Sequence, residues 1–340
     1  MRQVVSSDVL VIMKNVKCEI CGSSKYTNLY RKKSYIETKY GNINLVKCSE
    51  CGLIYINPQL SEDELADYYD VDYYGINNKR FSGIIERLIR LKRNIRAEVI
   101  SRFTEKGKIL DIGCGRGLFL DEMRGRGWDT YGTEISETAA KYAREVLGPN
   151  ISIGELDQHR FPDSHFNAVS IYNVLEHVSH PADIMLEIRR ILKPGGILVV
   201  ALPNIDSWQA KIFRMRWFHL DLPRHNFHFS PETLAKLLPP EHWDTVRTKR
   251  LSLEFGPFGW IQSALNVIFG NENMLYEILK EKTSGRLRIY ARNRFKFFRW
   301  TIISLNLVMA ALLAVPSVLF SLVSSMTRHN EIMEIYYRKK

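Results

Sequence analysis

The 340-residue sequence has no internal repeat, no low-complexity segment and no signal peptide at its start. Asp8 interrupts the first apolar stretch and no small-residue cleavage site follows by Lys17, so nothing there directs secretion. Hydrophobic residues make up 45% and charged residues 25%, which excludes wholesale disorder and a polytopic membrane protein. A chain of this length forms one large core with appended modules, or two domains.

Cysteine is scarce, with five in the whole chain. Four of them form two Cys-x-x-Cys-Gly pairs, Cys18 with Cys21 and Cys48 with Cys51, and the fifth is Cys114. Four thiolates close a tetrahedral zinc shell, and a closed shell leaves no open position for catalysis. We therefore expect a structural Zn²⁺, reduced thiols and a cytosolic setting, with a disulfide or unliganded thiols as the alternative.

Charge is absent between Arg299 and Arg328, and acidic residues are rare around that gap. Residues 286–340 hold ten Lys and Arg against two Glu, so this segment supplies +8 of the net charge of +11. Basic residues beside an apolar run favour anionic lipid over nucleic acid. Residues 300–326 are long enough to span a bilayer, whereas Pro316 and the two basic flanks equally allow a re-entrant hairpin. A buried core helix is the third possibility.

Apolar periodicity predicts alternating strands and helices in the middle of the chain. The predicted strands are residues 108–112, 129–133, 151–154, 166–171 and 197–201, and the helices are residues 117–125, 136–147 and 181–192. This alternation indicates a parallel sheet covered on both faces, with ligands at the carboxyl ends of its strands. Residues 244–253 and 287–293 are expected to add an antiparallel edge pair. Residues 80–103 predict an amphipathic helix that covers the cofactor site, rather than a second membrane contact.

A glycine-rich loop follows the first of these strands and opens a helix. Its residues are Asp111-Ile112-Gly113-Cys114-Gly115-Arg116-Gly117. Glycines let the backbone turn tightly and approach a ligand, and the helix N-terminus offers free N–H groups. The third glycine comes one residue earlier than in the dinucleotide fingerprint, and Asp111 would repel a pyrophosphate. Together with Glu134 after the next strand, this spacing favours S-adenosylmethionine (SAM).

Four segments resemble successive motifs of class I SAM-dependent methyltransferases, of the type 11 and type 23 groups that carry an N-terminal zinc ribbon. They are the loop of residues 111–117, Glu134, Val174-Leu175-Glu176-His177-Val178 and Leu192-Lys193-Pro194-Gly195-Gly196. The resemblance implies a Rossmann-like, doubly wound, seven-stranded α/β sheet of order 3-2-1-4-5-7-6. It also implies a SAM site formed by Asp111, Gly113, Cys114, Gly115, Gly117, Glu134, Glu155, Leu156 and Asn173.

Histidines cluster in residues 217–230, after the fifth strand, where an acceptor pocket would lie. Methyl transfer mainly requires alignment of the acceptor, and an oxygen acceptor can also need a general base. His225 is the first candidate, followed by His177 and His219. The alternative is that these histidines cap helices or fill polar gaps.

We predict a zinc ribbon in residues 1–60, a linker in 61–78, a methyltransferase domain in 79–294 and a membrane-associating tail in 295–340. The tail would hold the enzyme on the cytoplasmic side of the membrane, near a sugar or lipid-linked glycan acceptor. Methylation of a lipid-soluble quinone precursor is the alternative, and a catalytically silent membrane adaptor is the rival outside enzymology. Nucleic acid is excluded as a partner, because no Asn-Pro-Pro-Tyr-type tetrapeptide follows the fourth strand.

Overall fold

The computed structural model describes residues 4–6, 9–11, 13–33, 42–61, 83–252, 255–270, 273–279 and 296–340. The strands are β1 (Val4–Ser6), β2 (Val9–Val11), β3 (Met13–Lys14), β4 (Tyr26–Lys33), β5 (Asn42–Cys48), β6 (Ile54–Ile56), β7 (Gln59–Leu60), β8 (Lys108–Ile112), β9 (Asp129–Glu134), β10 (Ile151–Ile153), β11 (Phe166–Tyr172), β12 (Leu192–Pro203), β13 (Phe227–His228), β14 (Trp243–Lys249) and β15 (Ile332–Lys339). The α-helices are α1 (Gly83–Phe103), α2 (Leu118–Arg124), α3 (Glu137–Leu147), α4 (Pro181–Ile191), α5 (Trp208–Phe213), α6 (Pro231–Leu237), α7 (Gly256–Phe269), α8 (Met274–Leu279) and α9 (Lys296–Met326).

A seven-stranded sheet forms the centre, in the order β10-β9-β8-β11-β12-β15-β14. The first five strands run parallel, and β15 pairs antiparallel with both β12 and β14. Counted along the chain within this sheet, the order is 3-2-1-4-5-7-6, so the predicted fold class is confirmed. Strands β8, β11 and β12 are largely apolar because both faces of the sheet are covered, whereas β9 is mostly polar in sequence.

The edge pair differs from the prediction in its second member. Strand β14 confirms the strand expected at 244–253, but residues 287–293 lie outside the described part of the chain. The position beside β14 belongs to β15, where Ile335 lies opposite Val200 of β12 and Thr248 of β14. The boundary expected at residue 295 is corrected accordingly, since the end of the predicted tail is an inner strand of the sheet.

Each face of the sheet has its own apolar core. On one face Ala97, Leu120 and Ala140 from α1, α2 and α3 pack against alternate strand residues such as Ile109 and Val199. The other face is covered by α4. The amphipathic helix expected at 80–103 is confirmed as α1, which spans Gly83–Phe103.

Within α1, Val99 and Ile100 are buried, whereas Leu91 and Ile95 are exposed. The exposed half is tied to α2 by Arg126, whose guanidinium donates to the Asn94 side chain at 2.8 Å. Leu91 and Ile95 therefore do not pack in the way that the sequence predicted.

The N-terminal module is joined to the central domain by a shared sheet, in the order β13-β6-β5-β4. Strand β13 comes from the histidine-rich segment, and Phe227 lies opposite Tyr55. The same apolar core contains Val46 and Leu53 of the module and Phe229 of the central domain. The predicted linker, residues 61–78, falls almost entirely outside the described residues.

The C-terminal apolar run is the helix α9, which begins four residues before the predicted run. In the described part of the chain, it is the one helix whose length and composition would allow it to cross a membrane, over Ile303–Met326. It packs along α7 and α8, and β15 follows it after a short turn.

Candidate active site

The glycine-rich loop turns from β8 into α2 through three left-handed residues. Gly113, Gly115 and Gly117 have φ values of +68°, +55° and +71°. A Cβ on Gly113 would lie 2.4 Å from Val174 Cγ2, and one on Gly117 would lie 2.5 Å from Leu147 Cδ1. Two of the glycines are therefore required both by backbone conformation and by close packing.

Glu134 holds this loop in place from the end of β9. Its Oε2 accepts the Gly115 N–H at 2.8 Å and its Oε1 accepts the Ser136 N–H at 2.9 Å. A carboxylate has about four acceptor positions, so these two bonds do not exhaust its capacity. Cys114 is buried below the loop, and a Cβ on Gly132 would lie 2.7 Å from its sulfur. Cys114 is thus a packing residue of the loop.

Asp111 lies buried at the end of β8. Its Oδ1 accepts the Ser170 hydroxyl at 2.6 Å. Burial raises the pKa of Asp111 to about 7, and nearby Glu134 adds to this effect. A cationic group placed beside Asp111 would lower that pKa again, as the amino group of a bound amino acid does. Buried carboxyl groups beside a glycine-rich loop suit SAM, whereas they would repel a pyrophosphate.

The other predicted cofactor residues border the same sheet edge. Asn173 has a φ of +52° and its backbone N–H donates to the Ala201 carbonyl at 2.7 Å. Glu155 precedes a short 3₁₀ helix, and Leu156 begins it. The Leu156 side chain is buried in the core, so only its backbone is placed to meet a ligand. Their roles toward SAM stay predictions.

Two of the three predicted catalytic histidines meet. The rings of His177 and His225 lie edge to face, with centroids 4.6 Å apart. His177 Nδ1 lies 2.9 Å from the Arg224 carbonyl, and His225 Nδ1 lies 2.9 Å from the His219 carbonyl. A carbonyl only accepts, so each Nδ1 carries the proton and each Nε2 is the acceptor nitrogen of the neutral ring.

The His219 ring does not join this pair. It packs among aromatic rings, with centroids 4.8 Å from Phe218 and 6.0 Å from Phe255. Its contribution is the backbone carbonyl that orients His225.

Burial controls the charge of the histidines. It lowers the pKa of His225 well below its ordinary value, and it lowers that of His177 to about 4. Burial would raise the pKa of Asp221, but Arg224 and His225 outweigh it and hold that pKa low. Asp221 Oδ2 lies 3.9 Å from His225 Nε2 and its Oδ1 accepts from Arg224 at 2.5 Å. The cluster thus places neutral rings beside a fixed negative charge.

Sequence reasoning did not assign roles to several members of this cluster. Asp221 and Arg224 lie in the histidine-rich segment of residues 217–230, and their spacing of three residues is a signal for an ion pair across one turn. Glu176 is buried with neither carboxyl oxygen hydrogen-bonded to a described residue, and burial raises its pKa to about 8. Its carboxylate and the nitrogens of His177 and His225 lie within 4.8 Å of one another, which is close enough to hold a metal ion.

The four paired cysteines converge as predicted. Cys18 and Cys51 sulfurs are 3.3 Å apart, those of Cys21 and Cys48 are 3.5 Å apart, and all four lie within 4.8 Å of one another. Tetrahedral Zn–S bonds of about 2.3 Å require sulfurs about 3.8 Å apart, so the group fits Zn²⁺. None of the five cysteines forms a disulfide.

Each pair ends in a left-handed glycine. Gly22 has a φ of +69° and Gly52 one of +85°, and their N–H groups donate to the carbonyls of Cys18 and Cys48. Each Cys-x-x-Cys-Gly pair therefore closes in a tight turn.

The fold and the loop together define a Rossmann-like cofactor domain whose site accepts SAM. A family model described as a methyltransferase domain matches residues 84–239. A ubiquinone biosynthesis O-methyltransferase of Roseobacter denitrificans is 30% identical over 164 residues, which are 45% of this chain and 65% of that protein. One of Maricaulis maris is 34% identical over 195 residues, 52% of this chain and 72% of that protein.

Among solved structures, a SAM-dependent methyltransferase from Archaeoglobus fulgidus is 20% identical and aligns with a TM-score of 0.45, over 74% of this chain and 94% of that chain. The chain spans less than two thirds of the first curated relatives it matches. It belongs to the class I SAM-dependent methyltransferase family.

Proposed function

We propose that this protein transfers a methyl group from SAM to a hydroxyl oxygen of a lipid-soluble quinone precursor. The observation that carries the proposal is the neutral, oriented His225 beside Asp221, one short segment away from the glycine-rich loop. That segment contains Val174, which packs on Gly113, and His177, which packs on His225. The cofactor site and the proposed base are thus connected through this one segment of the chain.

When bound, SAM supplies the methyl group that forms the new bond to oxygen as its carbon–sulfur bond breaks. The loop of residues 111–117 and Glu134 would hold it. His225 Nε2 would accept the proton of the acceptor hydroxyl, because its Nδ1 is already committed to a carbonyl. Asp221 would stabilise the imidazolium so formed, while Arg224 keeps Asp221 in position.

The acceptor class is supported by two lines. The curated relatives described above are named as ubiquinone biosynthesis O-methyltransferases. In addition, the segment before the histidines is lined by aromatic rings, with Phe218 against both Phe258 and Tyr276. Planar rings suit a phenolic acceptor. A sugar or lipid-linked glycan, the first expectation from the sequence, has no such support.

The proposal also includes the setting of the enzyme. We place it on the cytoplasmic side of a membrane, with a structural Zn²⁺ in the N-terminal module. Four thiols gathered for Zn²⁺ and one remaining cysteine, Cys114, fit a reducing compartment.

The test is an acceptor comparison with the purified full-length protein. Binding of SAM and of its demethylated product is measured first by calorimetry, and label transfer from methyl-labelled SAM is then measured with two acceptors. These are a polyprenyl catechol and a polyprenyl diphosphate sugar. We expect transfer to the catechol oxygen alone. Transfer to the sugar would replace the acceptor, and binding of SAM without transfer to either would favour the adaptor rival. An absence of SAM binding would remove the proposal.

A further inference from the structure

Helix α9 buries polar side chains and exposes apolar ones, which is unusual for a protein surrounded by water. The residues it buries against the rest of the protein are polar, and they are Asn306, Ser317, Ser321 and Ser324. The opposite face is apolar and exposed, at the helical spacing of Leu305, Val308, Leu312, Val315, Leu319 and Met326. Val315 is 70% and Leu312 66% exposed. Soluble surface helices show the reverse pattern.

The exposed apolar surface continues onto α7, where Val267 and Ile268 are exposed while Gln262, Ser263 and Asn266 are buried. The two helices pack together and both expose apolar residues, although α7 also buries Trp260 and Leu265. Exposed apolar patches mark membrane or partner surfaces.

The helix is held along the protein over most of its length. Near its start, the Asn306 side-chain amide donates to Met274 Sδ at 3.4 Å. Near its end, Glu331 Oε1 accepts from Ser324 Oγ at 2.6 Å and from Trp260 Nε1 at 2.9 Å. Asn306 and Ser324 are about 27 Å apart along the axis. A helix crossing a bilayer would leave the domain over such a distance, and the sheet strand β15 follows α9 directly.

We propose that α9 and α7 form a membrane-docking face that lies in the plane of an anionic bilayer surface without crossing it. Charge complementarity favours an anionic membrane as the binding partner of this face. Six Lys and Arg stand from Arg286 to Arg299, no acidic residue lies between Glu281 and Glu331, and Arg328 is exposed beyond the other end of α9. An apolar helix face with basic residues at its ends is typical of binding in the interface of anionic membranes.

Helix α7 also contacts the predicted acceptor site, through the side that is buried opposite the docking face. Ser263 Oγ of α7 accepts the Phe218 N–H at 2.9 Å, and Phe255 at the start of α7 lies against the His219 ring. An acceptor with a lipid tail could therefore reach the histidines while its tail stays in the bilayer. This last step rests on the proposed function, whereas docking itself does not.

Vesicle sedimentation tests the docking without any turnover. The full-length protein is mixed with phosphatidylcholine vesicles with or without phosphatidylglycerol. We expect it to pellet with the anionic vesicles, and the double variant Leu312→Glu, Val315→Glu to bind at least about tenfold more weakly. Leu186→Glu is the matched control, since Leu186 is 60% exposed on α4, away from this face. Equal binding by the double variant and the control would overturn the proposal.

Orientation and occupant need two further measurements. Cysteines placed at Thr301 and Arg328 should both react with a membrane-impermeant maleimide added outside sealed vesicles, measured on the peptides that carry them. Protection of one of the two until detergent is added would mean that α9 crosses the bilayer. In lipid-free buffer we expect a monomer in sedimentation equilibrium. A dimer that Leu312→Glu dissociates would show that a second copy covers the face.

Discussion

Glu134 ties the glycine-rich loop to the segment that follows β9 through hydrogen bonds from Gly115 and Ser136. The variant Glu134→Gln replaces one of two acceptor oxygens with a donor, so it opposes either Gly115 or Ser136. We expect the dissociation constant for SAM to rise about ten- to a hundredfold, in line with about 1.5–3 kcal/mol for hydrogen bonds to charged groups. Calorimetric titration measures it. Glu137→Gln, at an exposed position nearby, is the control and should leave the affinity unchanged.

Alanine substitutions at Gly113 and Gly115 distinguish the steric constraint on the loop from the constraint on its backbone conformation. Gly115→Ala meets no atom within 4 Å and adds only left-handed strain, so the free energy of unfolding should fall by about 1–2 kcal/mol. Gly113→Ala should cost more, because its Cβ would also meet Val174.

Denaturant unfolding measures both variants. The added variant Val174→Ala should recover part of the loss in Gly113→Ala and none of it in Gly115→Ala. Equal losses in the two glycine variants would contradict the packing that the structure shows.

The neutral state of His225 has a kinetic consequence. A solvated histidine base loses activity below about pH 6.5, whereas burial lowers the pKa of His225 and keeps it unprotonated in more acidic solution. We therefore expect kcat/KM to stay flat between about pH 6 and 8.

His225→Ala should lower kcat by about 10²- to 10⁴-fold at saturating acceptor. The exposed His242→Ala serves as the control. A midpoint near the ordinary histidine pKa, or normal turnover by His225→Ala, would show that His225 is not the base.

At the scale of elements, the cysteine module supports the histidine segment through the β6 and β13 pair. The Ile56 N–H donates to the Asn226 carbonyl at 2.9 Å, and the Phe227 N–H donates to the Glu176 carbonyl at 3.1 Å. Asn226 and Phe227, which lie between His225 and His228, are thus held by a strand of the cysteine module.

Removing the metal should loosen this pair before the central sheet. We expect Cys48→Ser to raise the amide hydrogen exchange of residues 226–228 while β8 and β11 keep their protection. Glu50→Gln, at an exposed position between Cys48 and Cys51, should leave the hydrogen exchange of both regions unchanged. Unchanged exchange at 226–228 in a protein shown to lack zinc would mean that the module does not position the histidines.

For the whole molecule, the C-terminal segment cannot be treated as a detachable anchor. A chain truncated after residue 295 loses β15, which separates β12 from β14 and buries Tyr336. We expect this truncation to abolish cooperative thermal unfolding, whereas Leu312→Glu should unfold at close to the temperature of the unchanged protein. A soluble, cooperatively folded truncated chain would refute the assigned place of β15.

The sequence by itself determined the parts that depend on local pattern. Strand and helix periods, the glycine spacing after Asp111 and the Cys-x-x-Cys-Gly pairs each express a short-range constraint, and the structure has them where they were predicted. Strand β15 has a local signal too, since residues 332–337 are rich in aromatic and β-branched side chains, but its place beside β12 is set by contacts more than 100 residues away.

Only the tertiary structure decided which histidines meet, that Asp221 and Arg224 join them, and which face of α9 is buried. Residues 177 and 225 are brought together by hydrogen bonds from side chains to backbone carbonyls between distant segments. A uniformly apolar run of residues predicts a helix, but it does not say which side contacts protein. Two polar side chains on that side, Asn306 and Ser324, find hydrogen-bonding partners in other elements of the fold, Met274 and Glu331.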